Sequence, residues 1–192
     1  MPDLKKKPQT DWELKLQEEF PFMRRDMEPT EDESGRRWNS YQMFGCECGG
    51  GWYQLLHDLC QEITEQYAEA NLPVDLVVEQ VKEKFASLRF YYSFGEEPMA
   101  VHAFDSLAGG GVRFRPSAGG GDERRNQLRR EIAAIVGKYE EKSEEVCEEC
   151  GEPGTVRKDM PWKRTLCEGC YQNYLAIADK GKEKSPKDDF LE

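Results

Sequence analysis

Cys147, Cys150, Cys167 and Cys170 form two C-x2-C pairs separated by 16 residues. Two-residue spacing lets both sulfurs of one tight turn reach a common ion, and two such turns close a tetrahedron. The chemistry this pattern supports is Zn2+ coordination. Four thiolates fill the shell and leave no open position for water, so the site is expected to be structural rather than catalytic. Gly151 follows the first pair and Gly169 lies inside the second; both are expected to relieve tight backbone. Two redox motifs or a disulfide framework would be the competing explanation, and pairs at this separation favour the metal.

Other residues carry weaker chemical signals. Cys46, Cys48, His57 and Cys60 have an unorthodox C-x-C…H-x2-C spacing for a second metal. Helix-borne cysteines more often pack as small apolar side chains. His57 and Cys60 would be a conceivable dyad on one helical turn, but a surface histidine beside a core cysteine is the commoner arrangement. His57 and His102 are the two histidines, and residues 103–192 contain none. A nuclease built on the zinc knuckles would need one there, so that reading is rejected. Arg157, Lys158, Lys163 and Arg164 surround Trp162 between the two cysteine pairs. Cations interleaved with a stacking ring suit single-stranded nucleic acid. Glu144, Glu145, Glu148, Glu149 and Glu152 lie close in sequence and oppose that field.

The elements that must position these residues are legible in the periodicity. Thr10-x-x-Glu13 has the form of a capping box and opens a helix to about Phe20, with Trp12, Leu16 and Phe20 on one face. Residues 26–40 read as an exposed loop. Cys46-Glu-Cys-Gly-Gly-Gly51 reads as a turn into the main helix, Trp52 to about Ala70, whose stripe is Trp52, Leu55, Leu56, Leu59, Ile63 and Tyr67. Leu76–Lys82 and Leu88–Phe94 read as a strand hairpin, with a helix over Val81–Leu88 as the competitor. Residues 95–126 hold two Gly-Gly-Gly runs and little periodicity. They read as a mobile insertion with a short strand at 112–115. No Gly-Lys-Ser/Thr follows either triplet, which disfavours phosphate binding. Gln127 to about Ser143 reads as a second amphipathic helix with Leu128, Ile132, Ile135, Val136 and Tyr139 inward. Between the cysteine pairs, Thr155–Arg157 and Lys163–Leu166 are expected to form a hairpin. Tyr171, Tyr174, Leu175 and Ala178 then recur at helical spacing. Knuckle, hairpin and helix is a treble-clef-like order, with a flat zinc ribbon as the alternative.

Composition bounds the rest. The chain has 192 residues, 38% of them hydrophobic and 34% charged, and a formal net charge of −11. A divalent ion in four thiolates still leaves a negative site, so the whole chain opposes general affinity for nucleic-acid backbones. No apolar run reaches membrane-spanning length, and the start is polar, without a signal-peptide core. Seven cysteines, four of them in a metal pattern, point to a reducing cytoplasm.

Three stretches carry a resemblance: Cys48-Gly-Gly-Gly-Trp52 before a helix, Glu79-Gln-Val-Lys-Glu-Lys-Phe-Ala-Ser-Leu-Arg-Phe-Tyr91, and Cys147-Glu-Glu-Cys-Gly-Glu-Pro-Gly154 with Trp162 and Thr165-Leu-Cys167. In this order they resemble a family of small uncharacterised phage and prophage-associated bacterial proteins, over roughly residues 45–94 and 127–170. The resemblance implies a phage or bacterial cytoplasmic origin and no catalytic residue.

The expectation is an α+β fold: amphipathic helices on a small antiparallel sheet or hairpin, with a C-terminal zinc ribbon or treble-clef-like module. Residues 1–45 would form an N-terminal helix and loop, 46–146 the core, and 147–192 the four-cysteine zinc module and tail. The leading function is a protein-interaction module with structural zinc, its partner a host protein if the gene is phage-borne. A nucleic-acid accessory protein using the basic tip is the alternative, and a small enzyme the third reading.

Overall fold

The computed structural model describes residues 6–26, 39–95 and 123–183. The fold is mixed α+β. Its elements are α1 (Asp11–Glu19), α2 (Ser40–Phe44), β1 (Cys46–Glu47), α3 (Tyr53–Glu69), β2 (Leu76–Lys84), β3 (Ser87–Phe94), α4 (Glu123–Lys142), β4 (Thr155–Arg157), β5 (Arg164–Leu166) and α5 (Glu168–Glu183). The expected mobile insertion and its strand at 112–115 lie outside the described residues, except for its two ends. There Gly95 follows β3, and α4 begins at Glu123, earlier than the Gln127 expected from its apolar stripe.

The hairpin forms as strands rather than as the competing helix. β2 and β3 pair antiparallel from Leu76↔Phe94 to Lys84↔Ser87. The register shifts between Val78 and Gln80. An extra residue in one strand reverses which face later side chains meet. The buried positions of β2 accordingly run Leu76, Val78 and then Val81. β1 adds to this sheet in parallel, Cys46 opposite Val81 and Glu47 opposite Lys82. The sequence reading placed a turn there; two residues are too short to show alternation. The short α2 was also missed, although Asn39 and Gln42 form a capping box.

The helices cover the sheet as their stripes require. Trp52, just before α3, and Leu55, Leu56, Leu59, Ile63 and Tyr67 along it are buried, as are Leu128, Ile132, Val136 and Tyr139 along α4. Both stripes share one core with Leu16, Phe20, Val81, Leu88, Phe90 and Phe94. α4 and Ser143, which follows it, also protect the outer edge of β3. Leu88 N donates to Ser143 Oγ at 2.8 Å and Phe90 N to Glu140 Oε1 at 3.1 Å. Amides that would otherwise face an open sheet edge are thereby satisfied.

Glu13 joins α1 to the sheet. Its Oε2 accepts from Thr10 N at 2.7 Å and Thr10 Oγ1 at 2.8 Å, while Oε1 accepts from Cys46 N at 2.8 Å. The residue is 1% exposed. It is the capping box expected from sequence, extended to a strand 33 residues away. Replacing it with Gln turns an amide NH2 toward one of these donors. Glu13→Gln is expected to lose about 1–3 kcal/mol in chemical denaturation, the cost of an unsatisfied buried donor. An unchanged unfolding midpoint would show that the carboxylate is not needed there.

Candidate metal centre

The ligand atoms of Cys147, Cys150, Cys167 and Cys170 all lie within 4.8 Å of one another. Cys150 Sγ and Cys167 Sγ are 3.6 Å apart. A tetrahedron with metal–sulfur bonds of about 2.3 Å has edges of about 3.8 Å, so the spacing suits one ion. Among the described residues, this is the one group of three or more such side chains gathered closely enough to hold a metal.

Local backbone chemistry builds each half. Gly151 N donates to Cys147 O at 2.9 Å and Cys147 N to Glu152 O at 2.8 Å, which closes the first knuckle. Gly151 has φ +82°, a conformation glycine adopts without a Cβ penalty. The second pair differs. Cys167 immediately precedes α5 and Cys170 lies in its first turn, where Cys170 N donates to Cys167 Sγ at 3.4 Å. Gly169 is helical and a Cβ there would meet nothing within 4 Å. The expectation that Gly169 relieves tight backbone is therefore corrected: a helical turn, not a strained one, spaces the second pair. The order knuckle, β4–β5 hairpin, helix is the treble-clef-like one.

Cys147, Cys150 and Cys170 sit close enough to their neighbours to shift one another's protonation. Burial pushes the Cys147 thiol up, but the amides of Cys167, Cys150 and Glu149 outweigh it and hold the group down to about 7. At Cys150 the Glu152 amide lowers the thiol, yet burial and the Cys147 and Cys167 side chains raise it on balance. The Cys150 and Cys167 side chains raise Cys170 further. With all four ligand atoms within 4.8 Å of one another, thiolates here would repel, and a positive charge among them would relieve that repulsion. A bound metal supplies that charge.

The centre is fastened to the core through backbone contact. Gly51 N donates to Glu148 O at 2.8 Å, Gly49 N to Glu148 Oε1 at 3.1 Å, and Trp52 Nε1 to Val146 O at 2.9 Å. Thr165 Oγ1 donates to Ala86 O at 2.8 Å, which ties β5 to the β2–β3 turn. The glycines preceding α3 are thus a seat for the metal knuckle. Sequence reasoning missed this use. Its signal was the triplet itself, since consecutive glycines mark close approach of another backbone.

The remaining candidates are dispersed or engaged. Cys46 and Cys60 are buried in the core, and Cys48 packs against it. Burial pushes all three thiols up. His57 is not aimed at Cys60; its Nε2 meets Glu19 at 2.8 Å and its ring lies edge-on to Phe20. Of the basic tip, Arg164 pairs with Glu148 at 3.0 Å and also with Glu149. Arg157 pairs with Glu168 at 3.1 Å and lies over the Tyr171 ring. Lys158 and Lys163 are exposed and have no ion-pair partner among the described residues. Trp162 is 59% exposed, donates to Glu83 Oε2 at 2.9 Å and stacks on Phe85 with centroids 6.3 Å apart. Phe85 was not singled out from the sequence, because only the fold brings the two hairpin tips together.

Comparison with protein-family models, curated proteins and solved structures returned no match. Among the described residues, no helix is long and apolar enough to cross a membrane.

Proposed function

We propose that the chain is a protein-interaction module whose metal centre is a structural zinc site. Four thiolate donors in a closed tetrahedral set suit zinc, with iron as the chemical competitor. The observation that carries the interaction reading is the exposed Phe85–Trp162 pair. It lies where the metal module meets the core hairpin, and large aromatic rings side by side in solvent mark a contact surface. The resemblance to phage and prophage-associated proteins adds a host protein as the partner.

Nucleic acid is the second reading, favoured by the same rings and by Lys158 and Lys163. Against it, the two arginines of the tip are already paired within the module. Backbone binding draws on several converging cations, and the net charge of −11 opposes it.

Native mass spectrometry with elemental analysis is expected to find one zinc ion per chain, lost when Cys147 or Cys170 becomes Ser and retained when Cys46, Cys48 or Cys60 does. Anisotropy titration with oligothymidylate and duplex DNA is expected to show only non-specific affinity, in the range of about 10⁻⁴ to 10⁻⁶ M. Affinity capture with nuclease treatment should then recover a protein that Trp162→Ala loses. Nanomolar nucleic-acid binding with a steep salt slope would replace the interaction reading.

A further inference from the structure

The four cysteines of the metal centre differ in what can reach them. Cys147 is fully buried beside Met160 and Leu166. The amides of Cys167, Cys150 and Glu149 are aimed at its sulfur. Amide contacts draw charge from a thiolate, and burial keeps reagents away from it. Cys150 is the exposed member, in a run of exposed residues from Glu149 to Pro153. Cys167 and Cys170 are half-buried. Cys150 Sγ stands 3.6 Å from Cys167 Sγ, so the exposed sulfur of the first pair meets a sulfur of the second. A solvent-accessible thiolate beside a second cysteine is the arrangement through which thiols are oxidised reversibly.

The remaining cysteines are shielded. Cys46 and Cys60 are buried, and Cys48 is half-buried against the core. The module itself has little apolar packing to hold it, a cluster of Cys147, Met160 and Leu166. Its first knuckle joins the core through the bond from Gly51 N to Glu148 O, next to Cys147 and two residues from Cys150. A change in the ligand set therefore reaches the joint between module and core.

We propose that the metal centre is a reversible redox switch, with Cys150 as the sulfur that meets a hydroperoxide and Cys167 as the sulfur that resolves it. This rests on the reading of the four cysteines as a structural zinc site and adds a regulation to it. In the first step the Cys150 thiolate attacks one oxygen of hydrogen peroxide. An S–O bond forms, the O–O bond breaks, and the departing hydroxide takes up a proton as water, which leaves a sulfenic acid. In the second step the Cys167 thiolate attacks the Cys150 sulfur. An S–S bond forms, the S–O bond breaks, and hydroxide again leaves and takes up a proton as water. The two sulfurs are oxidised, the peroxide is reduced, and the charge on the ion is unchanged. Loss of two of the four donors releases the ion. A thiol reductant returns the disulfide to two thiols by exchange and lets the set refill.

The test is titration of the zinc-loaded full chain with hydrogen peroxide, read by a chromogenic zinc indicator, by mass spectrometry of alkylated peptides and by hydrogen exchange. One ion should leave for each disulfide formed. The first disulfide mapped should join Cys150 to Cys167, while Cys46, Cys48 and Cys60 remain alkylatable after denaturation. Protection at the Gly51 amide should fall as the ion leaves and recover once a thiol reductant and zinc are added. Cys150→His keeps a fourth donor of a type zinc accepts but removes the sulfur. It should hold its ion at peroxide concentrations that empty the wild-type centre. A first disulfide between other cysteines, or equal release from zinc-loaded Cys150→His, would overturn the proposal. Should Cys150→His take up no zinc, the disulfide mapped in the wild-type chain decides. Zinc retained while free glutathione in the same solution is fully oxidised, or Gly51 protection unchanged after release, would overturn the switch and leave the structural zinc reading standing. A chain that carries no metal before oxidation would overturn both.

Discussion

Chelating the ion from the cysteine centre is expected to unfold residues 147–183 while the α3–α4 core stays folded. The reason lies in how little apolar surface the module buries. Its cluster consists of Cys147, Met160 and Leu166, with Cys167, Cys170, Tyr171 and Tyr174 only partly covered. A segment of this size with so small a core needs a metal or a cross-link to fold. Structural zinc supplies about 10–16 kcal/mol in comparable small modules, so its removal decides the outcome. The core cluster is larger and is built from other elements, Leu16 through Tyr139. Its loss is limited to contacts such as Trp52 Nε1 to Val146 O. Hydrogen exchange gives the sharpest readout. Protection at the Gly51 and Glu148 amides, which bond to Glu148 O and Thr165 O, should vanish on chelation. Protection within α3 should persist. Unchanged exchange at Gly51 after metal removal would show that the knuckle holds its shape without an ion.

Gly51→Ala should be a strongly damaging single-methyl addition in the glycine seat before α3. A Cβ at this position would lie 2.4 Å from Cys147 O and 2.6 Å from both Cys150 N and Gly151 N. These are backbone atoms of the metal knuckle, so no side-chain rotation makes room. Either the knuckle or the start of α3 must move. The expected cost is roughly 3 kcal/mol, the upper end for overpacking a close-packed site. Weaker metal retention against a competing chelator should accompany it, because the displaced atoms belong to two ligands or their neighbour. Gly169→Ala is the internal control. It lies in the helical turn of the second pair, where a Cβ meets nothing. Ala should be neutral or stabilising there by roughly 0.5–1 kcal/mol. Equal stability of Gly51→Ala and the wild-type chain would contradict the close approach on which this depends.

Local order was readable wherever a residue's role depends on its neighbours in sequence. The two C-x2-C pairs announced one ligand set because ion coordination constrains spacing. The stripes of α3 and α4 announced their buried faces because a helix repeats its surface every few residues. Thr10 and Glu13 announced a helix start because a capping box is a contact between near neighbours. The α+β class followed from these elements. Roles that depend on distant segments were not readable. Glu13 reaching Cys46, the parallel pairing of β1 with β2, and the glycine seat beneath Glu148 all join residues far apart in the chain.

The basic tip shows the division most clearly. Sequence alone placed Arg157, Lys158, Lys163 and Arg164 around Trp162 and set five nearby glutamates against them. It had no means of saying which charges would cancel. The tertiary structure folds Glu148 and Glu149 onto Arg164, and Glu168 onto Arg157, and leaves the lysines facing water. It also sets Phe85 beside Trp162 through the Thr165–Ala86 bond. Coordination chemistry is written in spacing, so the chain by itself determined which four cysteines would be gathered into one candidate ligand set. Electrostatic pairing and surface shape depend on distances across the fold, so only the tertiary structure decided which groups the four-cysteine module presents to solvent.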